Sequence, residues 1–430
     1  TSQDFSKKQN TTLIMMETLR KFGLQYCDLE TMLWNVSAML RALTLNIDGR
    51  NKKPIPIIFY IASVTTALCY FYVYLLSMAW FVFFRCPVTG DLLAAIVVFS
   101  LGVSSEIGTT KMIFMFFYID AVKKIVSECL ACDSAMVPGS RFSDNLLGTL
   151  KLVKKRAMLF WLVIMGNGLV YVIIPLLTPG RHLPEDMFYI FLSTGLEPMD
   201  ATPNYQICFF LMTVGAFFTC YLPANMTAFL IVVAGYIEAQ MLSLTEELLH
   251  LWEDAEEYYY KTISTASILE DNKGIDIKNK IMNDYIEKNL KVIITTHGRN
   301  INLLHQVEHV FSGAIAVEFF LLIIGLIAEL LGGLENTYLE IPFALMQVGM
   351  DCYTGQRVMD ASVKFERAVY DCKWEKYNLA NMKTILMMLQ CSQKTMKLSA
   401  GGIIMLSSSC LMQVIRSIYS AYTTLSATMN

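Results

Sequence analysis

Apolar residues in this chain come in long blocks instead of short alternations. A helix needs about 20 mostly apolar residues to cross about 30 Å of hydrocarbon, because lipid offers no partner for its backbone amides. Seven stretches qualify: Pro56 to Phe84, Asp91 to Tyr118, Ala157 to Leu177, Ile207 to Gln240, Val310 to Leu331, Thr337 to Tyr353 and Ala400 to Leu425. Glu340, Pro342 and Asp351 interrupt the sixth, which makes it the weakest span by hydropathy.

Between blocks the period shortens to that of an amphipathic helix. Leu242, Leu244, Leu248, Leu249 and Leu251 alternate with Glu246, Glu247, Glu253 and Asp254, which predicts that span 4 continues beyond the lipid. A second run from Ile281 to Val310 (Ile286, Leu290, Ile293, Ile294, Ile301, Leu303, Leu304) leads into span 5, with a polar loop over 264–274 between the two. A third, from Gly355 to Ser399, places Val358, Ala361, Phe365, Ala368 and Val369 on one face, followed by Trp374, Ile385, Leu386, Met388 and Leu389. Such apolar faces are costly to leave in water, so an intracellular helical cluster is expected, within one chain or between subunits.

The expected fold class is therefore all-α: a polytopic membrane protein with seven transmembrane helices, surrounded by membrane lipids. Its segments are an N-terminal 1–55, spans 1 to 4 over 56–240, a helical extension over 241–309, spans 5 and 6 over 310–353, anchor helices over 354–399, and span 7 within 400–430.

Composition agrees with this reading. With 55% hydrophobic and 17% charged residues and a mean hydropathy of +0.46, the chain is no ordinary soluble enzyme, disordered protein or nucleic-acid binder. The net charge of −3 conceals a strong asymmetry: of 34 Lys and Arg, 30 fall before span 1, between spans 2 and 3, 4 and 5, or 6 and 7. Arg85 and Arg181 are on the opposite side, and Lys111 and Arg416 fall inside spans. Basic loops stay cytoplasmic, so the amino terminus is expected inside and the carboxyl terminus outside. Residues 1 to 50 lack the compact apolar core of a cleavable signal peptide, and span 1 is expected to insert the chain.

Of eleven cysteines, Cys86 and Cys208 are the pair placed to meet an oxidising compartment, as a disulfide or as two thiols. Cys129 and Cys132 form one C-x-x-C without a second pair or nearby His, so no metal site is expected. No phosphate-binding, dinucleotide, zincin or nucleophile-elbow motif occurs, and neither an enzyme nor a cofactor is expected. Arg416 within span 7 should face protein or water, with Glu318 or Glu329 on span 5 as candidate partners.

The last third carries a recognisable set: Cys352-Tyr353-Thr354-Gly355, Ser362, Ala368-Val369-Tyr370, Trp374, Met387-Met388, Gln393-Lys394, Leu398-Ser399-Ala400-Gly401 and Ser417-Ile418-Tyr419-Ser420. With seven spans of inverted orientation, the chain resembles the insect odorant receptors, and in length and texture the lepidopteran sex-pheromone receptors. Thr354, Gln356 and Thr395 depart from the family pattern. The resemblance implies a subunit of a ligand-gated, non-selective cation channel in the plasma membrane of an olfactory neuron dendrite. It further implies a heterotetramer with a common co-receptor subunit, held by a cytoplasmic anchor in which Phe365, Tyr370 and Trp374 would take part.

By the same resemblance span 7 lines the pore. Ser417, Ala421, Thr424 and Thr428 form one helical stripe with Leu425 beside it, and hydroxyls tolerate hydrated cations; helix packing is the plainer use of such residues. The resemblance places the ligand pocket among the outer halves of spans 2, 3, 4 and 6. Those halves offer Ile96, Phe99, Ser100 and Val103; Asn167, Val170, Tyr171 and Ile174; Phe209, Met212, Thr213 and Phe217; and Tyr338, Ile341 and Leu345. Such a lining suits a neutral lipophilic odorant or pheromone with one polar head, such as a long-chain unsaturated alcohol, aldehyde or acetate. The rival readings are a G-protein-coupled heptahelical receptor and a transporter. The charge bias, the lack of E/D-R-Y or N-P-x-x-Y and the lack of a repeat oppose them.

Overall fold

The computed structural model describes residues 20–184, 201–266 and 274–429. Its elements are α1 (Leu29–Ala42), α2 (Ile57–Thr89), α3 (Leu92–Phe117), α4 (Ile119–Ser134), α5 (Arg141–Leu177), α6 (Asn204–Leu249), α7 (Leu251–Ala266), α8 (Gly274–Leu331), α9 (Glu340–Asp371), α10 (Leu379–Ser392) and α11 (Ser408–Met429). A two-stranded antiparallel hairpin, β1 (Ser399–Ala400) with β2 (Ile404–Met405), precedes α11. The polar stretch 267–273 lies outside the described residues.

Helix starts follow local chemistry. Asp28, Asp91, Ser140 and Asn378 cap α1, α3, α5 and α10, each side chain accepting the amide N–H three residues on. Helix α2 contains two π-helical turns, Phe71–Ser77 and Phe81–Arg85.

Five helices among the described residues are long and apolar enough to cross a membrane: α2, α3, α5, α6 and α8. The sixth and seventh expected spans are also helical but less apolar. The sixth carries Glu340 and Asp351, and α11 is rich in Ser and Thr. The extensions of spans 4 and 5 are uninterrupted: α6 has 46 residues and α8 has 58. At about 1.5 Å per residue, α8 is about 87 Å long and must project far beyond about 30 Å of hydrocarbon.

Helix α6 is the central column, buried almost continuously from Leu222 to Met241 among α1, α2, α3, α5, α8 and α9. At one end of the bundle, Arg141 joins Glu247 at 3.0 Å and Asp254 at 2.5 Å, tying α5 to α6 and α7. Lys154 donates to the carbonyls of Lys21, Gly23 and Tyr26, which holds the segment before α1 against α5. Glu238 on α6, almost fully buried, receives Arg156 at 2.8 Å and Arg357 at 2.6 Å.

Two sequence expectations need correction. Span 7 does not begin at Ala400: residues 399–405 form the hairpin, turning through Gly401 (φ 62°) and Gly402 (φ 73°), and the helix starts at Ser408. Left-handed backbone cannot continue a helix, and the Gly401 N–H bonds to the Ser312 carbonyl of α8 instead. The expected partners of Arg416 are also engaged elsewhere, since Glu318 pairs with Lys111 and Glu329 accepts from Ser104; Arg416 is exposed on α11. Cys86 and Cys208 are two separate buried thiols, so the disulfide alternative is not realised.

Candidate ligand pocket and pore helix

Five elements converge on a cavity of about 50 Å³. Tyr74 comes from a π-helical turn of α2; Leu101, Ser104 and Ser105 from α3; Asn167, Gly168 and Tyr171 from α5. Helix α6 adds Ala216, Thr219 and Cys220, and the start of α9 adds Leu339, Glu340 and Phe343. Most of its surface is apolar, with the polar atoms confined to a few side chains.

Hydrogen bonds fix those polar groups. The Ser104 hydroxyl donates to Glu329 of α8 at 2.9 Å, and that of Ser100 to Glu340 at 2.9 Å. Asn167 donates from its amide nitrogen to the Leu339 carbonyl at 2.8 Å, locking α5 to the entry of α9. The Tyr74 hydroxyl points to the Met212 carbonyl at 3.5 Å.

Ligand pockets usually enclose about 300–1,000 Å³, more than this cavity holds. A second cavity of about 170 Å³ lies on the other side of Tyr74, lined also by Phe99, Val103, Met78, Val82 and Leu321. Tyr74 is thus the partition between the two.

Among the fifteen sequence candidates, Asn167 and Tyr171 line the first cavity, and Phe99 and Val103 the second. Ser100 and Met212 sit one bond behind the wall, through Glu340 and Tyr74 respectively. Ile96, Val170, Ile174, Phe209, Thr213, Phe217, Tyr338, Ile341 and Leu345 line neither, and Val170, Phe217, Tyr338 and Leu345 lie on the outside of the bundle. Tyr74, Ser104, Thr219, Glu340 and Phe343 are wall residues that hydropathy did not single out. The carboxylate Glu340 within an apolar block was the one available signal.

A separate polar centre joins α3, α6, α8 and α9. Lys111, fully buried, contacts Glu318 at 2.8 Å, Asp351 at 3.0 Å and the Thr227 hydroxyl at 2.7 Å. It ties together four helices, of which α3, α6 and α9 also contribute to the cavity.

Helix α11 is attached along one stripe only. Cys410, Val414 and Ile418 are buried, whereas Arg416, Ser417, Thr424, Leu425 and Thr428 are exposed and Ala421 is partly covered. The predicted pore stripe therefore lies on the side directed away from the rest of the chain. Its base is fixed by the C-terminal motifs. Gly355 on α9 meets the backbone of Leu406 so closely that a Cβ would lie 2.5 Å from the carbonyl oxygen. Gln356 accepts the Ser408 N–H that opens α11 at 3.0 Å, and the Ser362 hydroxyl accepts the Met396 N–H.

Of the three anchor candidates, Phe365 is internal, its ring 4.6 Å from that of His297 on α8. Burial among these groups lowers the pKa of His297. Tyr370 and Trp374 are exposed, and the interior contact beside them is made instead by Tyr377 stacked on Trp252.

Five helices long and apolar enough to cross a membrane, bundled with further long helices, mark a multi-pass, all-helical membrane protein. The family model described as "7tm Odorant receptor" matches residues 91–419, and the chain belongs to that family. It is a receptor and not an enzyme. The fold resembles that of the insect olfactory receptor OR5 from Machilis hrabei, with a TM-score of 0.71 at 13% identity over 92% of this chain and 98% of that one. The same receptor in complex with eugenol matches with a TM-score of 0.70 at 12% identity, covering 94% and 99%. No curated protein matches the sequence.

Proposed function

We propose that this odorant receptor is the ligand-binding subunit of a ligand-gated, non-selective cation channel, with a co-receptor subunit completing a heterotetramer. The observation that carries this reading is the pairing of an apolar cavity between helices with a hydroxyl-rich helix left uncovered on one side. The exposed face of α11 carries Ser417, Thr424 and Thr428, hydroxyls that suit the wall of a hydrated pore shared between subunits better than a lipid-facing surface. Tyr370 and Trp374, exposed near the internal Phe365, are the surface through which the anchor would meet another subunit.

The basic-residue asymmetry supports an amino terminus in the cytoplasm and a carboxyl terminus outside, in the plasma membrane of a sensory dendrite. The cavity then lies toward the outer half of the bundle, where a volatile arrives. A neutral lipophilic odorant or pheromone fits its lining, the solved relative in complex with eugenol being a parallel. Binding must favour the open arrangement over the closed one.

Co-expression with a co-receptor, in cells treated with G-protein inhibitors, tests the proposal. Odorant-evoked unitary cation currents that persist are expected. Currents abolished by the inhibitors would favour a G-protein-coupled receptor, and substrate flux without unitary currents a transporter.

A further inference from the structure

A larger cavity, of about 310 Å³, lies between the segment before α1, α1 itself, α5 and α6. It shares no residue with the cavity around Asn167, and it sits about ten residues away along α5 and about twelve along α6, roughly 15 to 18 Å at 1.5 Å per residue. Its volume is that of a small-molecule site, and its walls are mostly aliphatic, methionine and aromatic side chains.

Three lining side chains, Asn35, Lys154 and Trp161, carry nitrogen or oxygen. Trp161 donates its indole N–H to the Asn225 amide oxygen at 3.3 Å. Lys154 donates to the carbonyls of Lys21, Gly23 and Tyr26, which uses its three N–H groups. Asn35 differs. It is 8% exposed, and its Nδ2 donates to the Lys21 carbonyl at 3.0 Å, which fixes the direction of the amide. Its Oδ1 is buried and has no partner among the described residues. A buried amide oxygen without a donor is costly, and a donor carried by a bound molecule removes that cost.

Polarity also changes with depth. Asn35 and Lys154 meet at the Lys21 carbonyl, and Lys154 stands three residues before the apolar block that begins at Ala157. Leu162, at the other end of the α5 wall, lies inside that block and is exposed on the outside of the bundle. A molecule seated here has its polar end at the edge of the hydrocarbon and its apolar body beside lipid.

We propose that this cavity is a lipid site for a sterol, whose hydroxyl donates to Asn35 Oδ1 while its ring body lies against Trp161 and reaches the bilayer beside Leu162. An anionic headgroup would face the Asn35 oxygen and gain no hydrogen bond from Lys154, whose donors are spent. A fused-ring body is rigid before it binds, so it loses less freedom in a cavity of this size than acyl chains do.

The test is photolabelling of the full chain, reconstituted in phosphatidylcholine nanodiscs, with a diazirine-bearing cholesterol that keeps its free hydroxyl. Saturable label is expected on peptides covering 22–39, 154–162 or 228–232, with cholesterol competing about tenfold better than its methyl ether, the usual scale of one hydrogen bond. Absence of saturable label there, or equal competition by the ether, would overturn the proposal. Competition by dodecanol as strong as by cholesterol would also overturn it, by showing a site for free alcohols, and stronger competition by phosphatidylserine would do so by showing a site for anionic lipid.

Asn35→Leu removes the acceptor at nearly constant volume and should bring cholesterol down to the level of its ether; a retained tenfold advantage would overturn the role of Oδ1. Ala228→Phe fills the cavity from α6 and should abolish the saturable label, whereas label retained in monodisperse protein would place the sterol elsewhere and overturn the site. The competition series on the native chain decides the proposal even where a variant fails to fold.

Discussion

The ammonium of Lys111 on α3 lies 2.8 Å from the carboxylate of Glu318 on α8, and neither side chain has any exposed surface. Two helices more than 200 residues apart in sequence are joined there by charge, and Asp351 at 3.0 Å adds α9. Charges in a low-dielectric interior persist only when paired, so the contact fixes one relative placement of these helices.

Removing the cation should be far worse than removing the whole group. Lys111→Met leaves two carboxylates facing each other, and a loss on the order of 3–5 kcal/mol is expected, seen as aggregation in fluorescence-detected size exclusion. The triple variant Lys111→Met, Glu318→Gln, Asp351→Asn should recover most of the monodisperse protein. A mild phenotype in the single variant would show that the cluster does not hold the helices.

Tyr74 separates cavities of about 50 and 170 Å³. Tyr74→Ala should merge them and shift sensitivity toward longer or bulkier ligands, measured as a changed rank order of dose responses. Asn167→Leu, which breaks the bond to Leu339, should also shift sensitivity, whereas Tyr338→Ala on the outer surface should not.

The pore assignment predicts that Thr424→Lys on the exposed face of α11 lowers cation conductance by repulsion, while the buried neighbour Ile418 tolerates Ile418→Val with conductance unchanged. Single-channel recording distinguishes the two. Unchanged conductance in Thr424→Lys would take this helix out of the pore in this subunit.

Asp133, outside the spans at the end of α4, has its pKa raised to about 6 by burial and then by the nearby Asp28 and Glu30. A carboxyl with a raised folded-state pKa stabilises the fold below its unfolded value of 3.8, and this contribution is lost as pH rises through about 6. Asp133→Asn should therefore stabilise the protein at pH 7 by on the order of 1 kcal/mol, the group being only partly buried, and change little at pH 4. Thermal melts in detergent at the two pH values measure this.

Much of the helical framework was legible from one-dimensional pattern. Block length and the 3.6 period located the spans and the extensions of spans 4 and 5, because the need to satisfy backbone amides in lipid acts locally. The cavity was less legible. Helices α3 and α5 show no sustained amphipathic period within their apolar blocks, and the polar residues of α3 (Ser100, Ser105, Glu106, Lys111) are spread around it, so hydropathy locates the block but not its rotation. On α3 the choice fell on Ile96, Phe99, Ser100 and Val103, of which Phe99 and Val103 line the second cavity, whereas the first cavity uses Leu101, Ser104 and Ser105, a face turned by about 140° at 3.6 residues per turn.

The start of span 7 was misread for a related reason. Residues 400 to 407 are apolar or small, which hydropathy reads as span, but the Gly401-Gly402 pair is a local turn signal, and the bond from Gly401 to Ser312 and the approach of Leu406 to Gly355 hold the hairpin in place. Pairing of buried charges was equally out of reach, since Arg416, Glu318, Glu329 and Lys111 are interchangeable candidates until distances are known.

By itself, then, the sequence determined the class of fold, the existence of the long helices and the family signature near the carboxyl terminus, all of which depend on composition and short-range spacing. The tertiary structure decided which face of each helix looks inward, which carboxylate holds Lys111 and where span 7 begins. Those outcomes follow from contacts between residues far apart in the chain, and a helix without a sustained amphipathic period carries no record of its own rotation.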